Sequence, residues 1–199
     1  MKYSIYLLLL IFLLSCTSEV FGQAEKRGVE RSINKSEMPA IALETLDEFW
    51  PNMDNIRYFY ETDGDSETFE AKLEWMGKKY SIEFTEEGNI IDVEQLVDMS
   101  EIATDPAESI NEYLLQEFDR VRITRLQRQY LADDEDETDD IDFIDDILEE
   151  DHEDYVIRYE LEVEGKGESG IGGFEFLFDG NGNIIQRRRI IRRSLDNIW

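Results

Sequence analysis

The chain is poor in the residues that carry covalent and metal chemistry. Its 199 residues include one cysteine, Cys16, and one histidine, His152. A lone cysteine excludes an internal disulfide, even in a compartment that would permit one. His152 has no nucleophile or second imidazole near it in sequence. It reads as an exposed loop residue whose acidic neighbours favour its protonated form. Basic residues are scarce too: 20 Lys and Arg stand against 48 Asp and Glu, a formal net charge of −28. That balance excludes the basic footprint that nucleic acid or an anionic membrane surface requires. It favours solubility and attracts divalent cations or a basic protein. Long apolar runs are lacking as well; Tyr6 to Leu14 is too short to span a bilayer as a mature helix.

That short run, preceded by Lys2, reads as an export signal to be set aside before the fold is considered. Two exits fit it. Leu13-Leu14-Ser15-Cys16 resembles a lipobox, with cleavage before Cys16 and lipidation of its thiol. Val20-Phe21-Gly22 suits ordinary signal peptidase, removing residues 1–22. Either route places the protein in the periplasm, at the outer membrane or outside a Gram-negative cell. Contact with a membrane would then come only through the Cys16 lipid. Residues 23–37 are polar and without apolar period, and are expected to be a flexible lead-in.

What the chain does have is a repeat. Tyr80-Ser81-Ile82-Glu83-Phe84-Thr85-Glu86-Glu87-Gly88-Asn89-Ile90-Ile91 returns as Phe174-Glu175-Phe176-Leu177-Phe178-Asp179-Gly180-Asn181-Gly182-Asn183-Ile184-Ile185. Each copy lies downstream of one amphipathic helix pattern and two further strand patterns. In the first unit, 38–98, Pro39 opens a helix with Ala42, Leu43, Leu46, Phe49 and Trp50 on one face. Four strands follow: Ile56–Glu61, Phe69–Trp75, Tyr80–Thr85 and Asn89–Leu96. In the second unit, 105–193, a helix carrying Ile110, Tyr113, Leu114 and Phe118 precedes strands at Val121–Leu131, Tyr155–Val163, Phe174–Phe178 and from Asn183 onward. Period-two alternation gives each sheet one apolar and one charged face, and the helix covers the apolar one. The expected fold is therefore α+β, a tandem repeat of a helix on a four-stranded antiparallel sheet. A repeat without reactive residues at shared positions points to a binding scaffold.

The second unit carries an insertion, 133–154, with 15 acidic residues among 22. Such charge density is expected to leave it a solvated loop. The helical spacing of Ile141, Ile144, Ile147 and Leu148 allows a short helix on screening or docking. Two other readings stand: a recognition surface for a basic partner, and a calcium-responsive module using Asp133, Asp134, Asp136, Asp139 and Asp140 as hard oxygen ligands. Asp179-Gly180-Asn181-Gly182-Asn183 has oxygen-bearing side chains at alternate positions. It lacks the Gly and Glu that complete an EF-hand loop, so a hairpin turn is expected. No pair of carboxylates is singled out by spacing as a glycosidase couple. The wet sheet face and its hairpins supply the candidate protein-binding residues: Tyr58, Tyr60, Lys72, Glu74, Lys78, Arg158, Glu160, Arg187 and Arg189. Trp75 is assigned to the core by its alternation with Phe69 and Leu73.

Pro39 with Phe49-Trp50-Pro51, Phe69-Glu70-Ala71-Lys72-Leu73, Gly77-Lys78-Lys79-Tyr80-Ser81-Ile82-Glu83-Phe84 and Glu87-Gly88-Asn89-Ile90-Ile91 together resemble the PepSY-like, β-lactamase-inhibitor-like (BLIP-like) family of secreted Bacteroidetes-type proteins. Gly172 to Ile185 matches a second copy less fully. The resemblance spans roughly residues 38–193. It implies two helix-on-sheet units whose sheets align into a concave surface, and protein binding or inhibition. The acidic insertion departs from the family pattern, and no inhibitory loop or β-lactamase target carries over.

Overall fold

The structure, a computed structural model, describes residues 24–26, 28–49, 53–64, 66–131, 139–151, 155–167 and 170–191. The signal segment, Cys16, Trp50, Asp133, Asp134, Asp136 and His152 lie outside the described residues. Ten strands form one sheet: β1 (Ala24–Lys26), β2 (Val29–Ile33), β3 (Asp54–Asp63), β4 (Ser66–Trp75), β5 (Lys78–Phe84), β6 (Ile90–Leu96), β7 (Arg120–Leu131), β8 (Val156–Gly167), β9 (Gly170–Asp179) and β10 (Ile184–Ile190). Three helices accompany it: α1 (Ala40–Phe49), α2 (Thr104–Glu117) and α3 (Asp140–Glu149). The strand order is β1-β10-β9-β8-β7-β6-β5-β4-β3-β2. Every neighbouring pair is antiparallel except β1 on β10.

Register separates the two faces. Tyr58, Ala71, Ile82, Val93, Tyr130 and Ile157 stand side by side across six strands, an unbroken apolar row beneath the helices. One residue along, Phe59, Glu70, Glu83 and Asp92 stand side by side on the other face. On the helix side, α1 and α3 cover one core containing Leu46, Phe49, Ile82, Phe84, Val93 and Tyr130. The second core joins Ile110, Leu114 and Phe118 to Leu161, Val163, Phe174, Phe176 and Phe178, beneath α2. Trp75 is half-buried against the first core, as its alternation predicts.

The acidic insertion differs from the solvated loop expected of it. Its second half is α3, capped by Asp139, whose side chain accepts from Ile141 N at 2.9 Å. Phe143, Ile144, Ile147 and Leu148 are buried in the first core, whereas Ile141 is exposed. Burying four such side chains stabilises by roughly 2 kcal/mol each as an upper estimate. Like-charge pairs along a helix cost only a few tenths of a kcal/mol each. Burial wins, and the acids Asp142, Asp145 and Glu149 are left on the wet side.

The lead-in differs as well, since it forms strands instead of a tether. β1 pairs with β10 at one margin of the sheet, and β2 pairs with β3 at the other. Only residues 27 and 28 separate β1 from β2, so three Cα steps, at most about 11 Å, bring the two margins together. One N-terminal stretch thus straddles the seam of a sheet rolled with its helices outside and its polar face inside. Arg188 of β10 forms an ion pair with Asp63 of β3 across that interior.

Two glycines seat the helices. Gly88 (φ +97°) and Gly182 (φ +80°) close the β5–β6 and β9–β10 turns with matching bonds, Gly88 N to Thr85 O and Gly182 N to Asp179 O. A Cβ on Gly88 would lie 2.8 Å from Ala42 N, and one on Gly182 would lie 2.6 Å from Pro106 O. Each turn therefore packs directly under the first turns of α1 or α2, a position only glycine fills.

Candidate functional site

The polar face of the rolled sheet collects charge that its neighbours desolvate. Along one row, Glu70, Glu83 and Asp92 are directly paired across β4, β5 and β6. Like charges so placed repel. The next row runs Arg57, Lys72, Ser81, Glu94, Gln129, Arg158 and Asp179 from β3 to β9. A third joins Arg125, Glu162, Glu175 and Arg188.

Three cations of this interior meet carboxylates. Arg188 donates from Nε to Glu175 at 2.7 Å and also pairs with Asp63. Arg125 faces Glu162 at 3.8 Å. Lys72 Nζ sits between Glu30 of β2 and Glu70 of β4, 2.9 Å from Glu70 Oε2 but without hydrogen-bond alignment to that oxygen, and 4.5 Å from the centre of the Phe59 ring. Ser81 Oγ donates to the other Glu70 oxygen. Gln127 donates to Glu94, and Gln129 donates to Asp92 Oδ2 at 2.8 Å. Asp92 Oδ1 and Gln129 Oε1 are buried without a hydrogen-bond donor.

Proton affinities follow the crowding. Burial, a hydrogen bond to Glu30 and the nearby Glu70 charge push the Glu61 carboxyl up to about 8. Burial also opposes ionisation of Glu30, but bonds from Glu61 and Lys72 outweigh it and hold Glu30 low. The pair shares one proton, carried by Glu61 and donated to Glu30. Asp92 is raised well above the carboxylate range by burial and the charge on Glu83, and Glu94 likewise by burial and Asp92.

Two cavities adjoin here. One, about 430 Å³, is lined by Glu61, Asp63, Glu70, Glu83, Gln129 and Glu160. The other, about 420 Å³, is lined by Arg57, Lys72, Glu74 and Lys79, and both touch Glu94, Arg125 and Gln127. The polar interior is acidic toward one end and basic toward the other.

Of the residues expected to bind a partner, Lys72, Glu74, Arg158 and Glu160 face this interior. Tyr58 and Tyr60 do not: they pack against the first core, with Tyr60 edge-on to Phe69. Lys78 lies on the helix side too, paired with Glu150 at the end of α3. Arg187 is turned to the helix face, its guanidinium 5.0 Å from the centre of the Phe174 ring and paired with Glu117 of α2. Arg189 shares that face. A bulge between Ile184 and Gln186 inverts the alternation, so Arg188 points inward in their place. Arg125, Gln129, Glu61, Asp92 and Glu94 are further interior residues that composition alone does not single out. Their signal is the pairing of like charges, which appears only once register is fixed.

The expected metal ligands are placed differently. Asp139 caps α3, and Asp140 accepts from Ile90 N at 3.4 Å. Asp179 is occupied by its own turn, accepting from the backbone N–H of Asn181 and Asn183 at 2.9 and 2.8 Å. Among the described residues, the carboxylates converging as a divalent ion would need are Glu30, Glu61 and Glu70, with one oxygen of each within 4.8 Å of the others. The Lys72 ammonium already lies between two of them.

No family model matches the sequence, and no curated protein does. Solved structures share the fold. A DUF2874 family protein from Bacteroides ovatus superposes with a TM-score of 0.51 at 8% identity, over 76% of this chain and 87% of that one. A DUF2874 family protein from Bacteroides uniformis gives 0.50 at 13% identity, over 76% and 88%. A BLIP-like protein from Bacteroides fragilis gives 0.49 at 11% identity, over 81% and 92%.

Proposed function

We propose that this chain is a noncatalytic binding protein of the bacterial envelope that takes a protein or peptide partner in the polar interior of its sheet. The observation that carries this reading is the interior itself: two adjoining cavities of about 430 and 420 Å³, the first lined mainly by charged and amide side chains and the second by these together with Leu73, Tyr80 and Leu96. Recognition sites keep such groups in fixed positions to orient a partner. The repeated turns at Gly88 and Gly182 support treating β3–β6 with α1 and β7–β10 with α2 as two copies of one unit. The DUF2874 folds agree with that architecture, and an inhibitor-like role is one form that such binding would take. Export follows from the Tyr6–Leu14 segment, with Cys16 as the alternative lipid anchor.

Photo-crosslinkers placed singly at Lys79 and Glu160 inside, and at Leu115 and Asp142 outside, test the reading in envelope extracts of a native host. One partner captured from both interior positions and from neither outer one supports it. Capture from the outer face alone sinks it. A second reading, a calcium-responsive module, moves from the insertion to Glu30, Glu61 and Glu70, where an ion must displace Lys72. Saturable calcium binding that tightens in Lys72→Met supports that reading; weak, magnesium-like screening removes it.

A further inference from the structure

Resting on that binding reading, we propose that the basic cavity seats the last residue of an extended peptide. Its carboxylate meets the Arg57 guanidinium, and its apolar side chain lies over Leu96. Arg57 and Lys72 stand directly opposite each other on β3 and β4. Like charges so placed repel unless an anion comes between them. Lys72 meets its anions in Glu30 and Glu70. Arg57 rests 5.8 Å from the centre of the Phe59 ring instead. Among the described residues, neither Arg57 nor Lys79 forms an ion pair, in a chain with 48 acidic side chains to offer.

Two bulges aim arginines at this cavity. The register of β3 on β4 shifts between Asp54 and Arg57, where Asn55 takes a left-handed φ of 56°. That of β7 on β8 shifts between Ile123 and Arg125. Bulges serve to re-aim side chains at sites, and Arg57 and Arg125 line the same space of about 420 Å³. Lys72 and Lys79 line it with them, against two carboxyls, Glu74 and Glu94. Burial holds Glu94 toward its neutral form. Glu74, opposite Lys79 in register, accepts from Asn55 Nδ2 at 3.4 Å. The charge left over in the cavity is positive.

The apolar half of the site lies beside these cations. Leu96 is 44% exposed and lines the cavity together with Leu73 and Tyr80. Beyond Leu96 and Arg125 the space opens into a third cavity, about 330 Å³, lined by Val97, Met99, Ile123 and Leu126. A carboxylate flanked by an apolar side chain meets both halves at once. A bare inorganic anion would leave the apolar half uncovered. In the other direction the cavity runs past Glu94, Arg125 and Gln127 into the acidic one. Charged and amide side chains there suit the backbone of a peptide, and an alkyl chain would leave them without partners.

The test is isothermal titration of the mature chain with an acetylated hexapeptide of serine and threonine that ends in leucine with a free carboxylate. The same peptide with a C-terminal amide, and decanoate, are run beside it. The expected result is saturable binding of the free-acid peptide, weakened at least tenfold by amidation. Arg57→Gln should weaken it at least tenfold, and Leu96→Ser severalfold; both side chains are exposed, so the fold stands without them. Lys35→Gln removes a cation paired with Asp47 on the outside of α1 and should leave the affinity unchanged. Equal losses in Arg57→Gln and Lys35→Gln, equal binding of the amidated peptide, or no saturable binding at millimolar peptide overturn the assignment. Decanoate binding as tightly as the peptide also overturns it, in favour of a free lipid acid. Should a partner be captured from the interior through Glu160 yet bind Arg57→Gln unchanged, the C-terminal assignment fails while the binding reading stands.

Discussion

Arg188 and Asp63 form an ion pair although six strands separate β10 from β3 in the sheet order. The contact is made across the interior, and Arg188 simultaneously holds Glu175, whose side chain is 3% exposed. Removing Arg188 takes a guanidinium away from that buried carboxylate. Arg188→Ala is expected to cost about 3 kcal/mol, whereas Asp63→Asn, at the more exposed end, costs under about 1 kcal/mol. Urea denaturation of the two variants checks the ranking; equal costs would locate the energy in the span between β10 and β3 instead of at Glu175.

Stability should fall as pH rises through neutrality. Glu61 keeps its proton in the folded chain up to about 8, while an unfolded glutamate has released its own above about 4.3. Between those values the folded state binds more protons, so raising pH favours unfolding. Asp92 and Glu94, shifted in the same direction, add to the trend. The melting temperature is expected to be about 5 °C lower at pH 8 than at pH 5.5. Glu61→Gln should flatten that slope, and Glu108→Gln, on the exposed side of α2, should leave it unchanged.

The insertion is a part of the core. Phe143→Ala should cost about 3–5 kcal/mol, because Phe143 is 1% exposed and packs edge-on against Tyr155. Asp142→Asn on the exposed face of the same helix is expected to stay within about 0.5 kcal/mol of the parent. Thermal unfolding separates the two; a neutral Phe143→Ala would mean that α3 does not contribute to the fold.

At the repeated turns, Gly88→Ala and Gly182→Ala should each cost at least about 2 kcal/mol, combining a positive φ with a clash against a helix backbone. Gly77→Ala provides the contrast. It shares the positive φ but has nothing within 4 Å of its added carbon, so its cost is about 1 kcal/mol. Denaturant midpoints for the three variants test whether helix seating, over and above backbone strain, sets the penalty.

Strands β3 to β10 and helices α1 and α2 were legible because one periodicity governs each of them: Phe174, Phe176 and Phe178 alternate, and Leu46 and Phe49 recur at helical spacing. Other features turn on events that periodicity does not carry. One bulge at Ile184/Gln186 exchanges the faces of Arg187 and Arg188. The lead-in has no apolar pattern; β1 and β2 hold by backbone pairing to partners far along the chain, and Ile33 is the one residue of β2 that is buried. In α3 the helical spacing of Ile144, Ile147 and Leu148 was legible, but the count of acids argued for a solvated loop, and the buried stripe begins at Phe143 instead of Ile141. Tyr58 and Tyr60 share parity with Ile56, and their place beneath the helices was available from that alternation alone. The interior acids were the least legible, since Glu70, Glu83 and Asp92 become neighbours only through the registers of two hairpins.

The seam sets an order of assembly. β1 lies at the beginning of the described chain, and its partner β10 is the last strand. During synthesis the earliest strand must therefore wait, unpaired, for the latest one to emerge. Contacts so distant in sequence form slowly. The waiting β1 stays open to other strands or chaperones in the meantime. The helices can settle on their hairpins long before this, so the closing of the seam is the step that turns the acidic face into an interior.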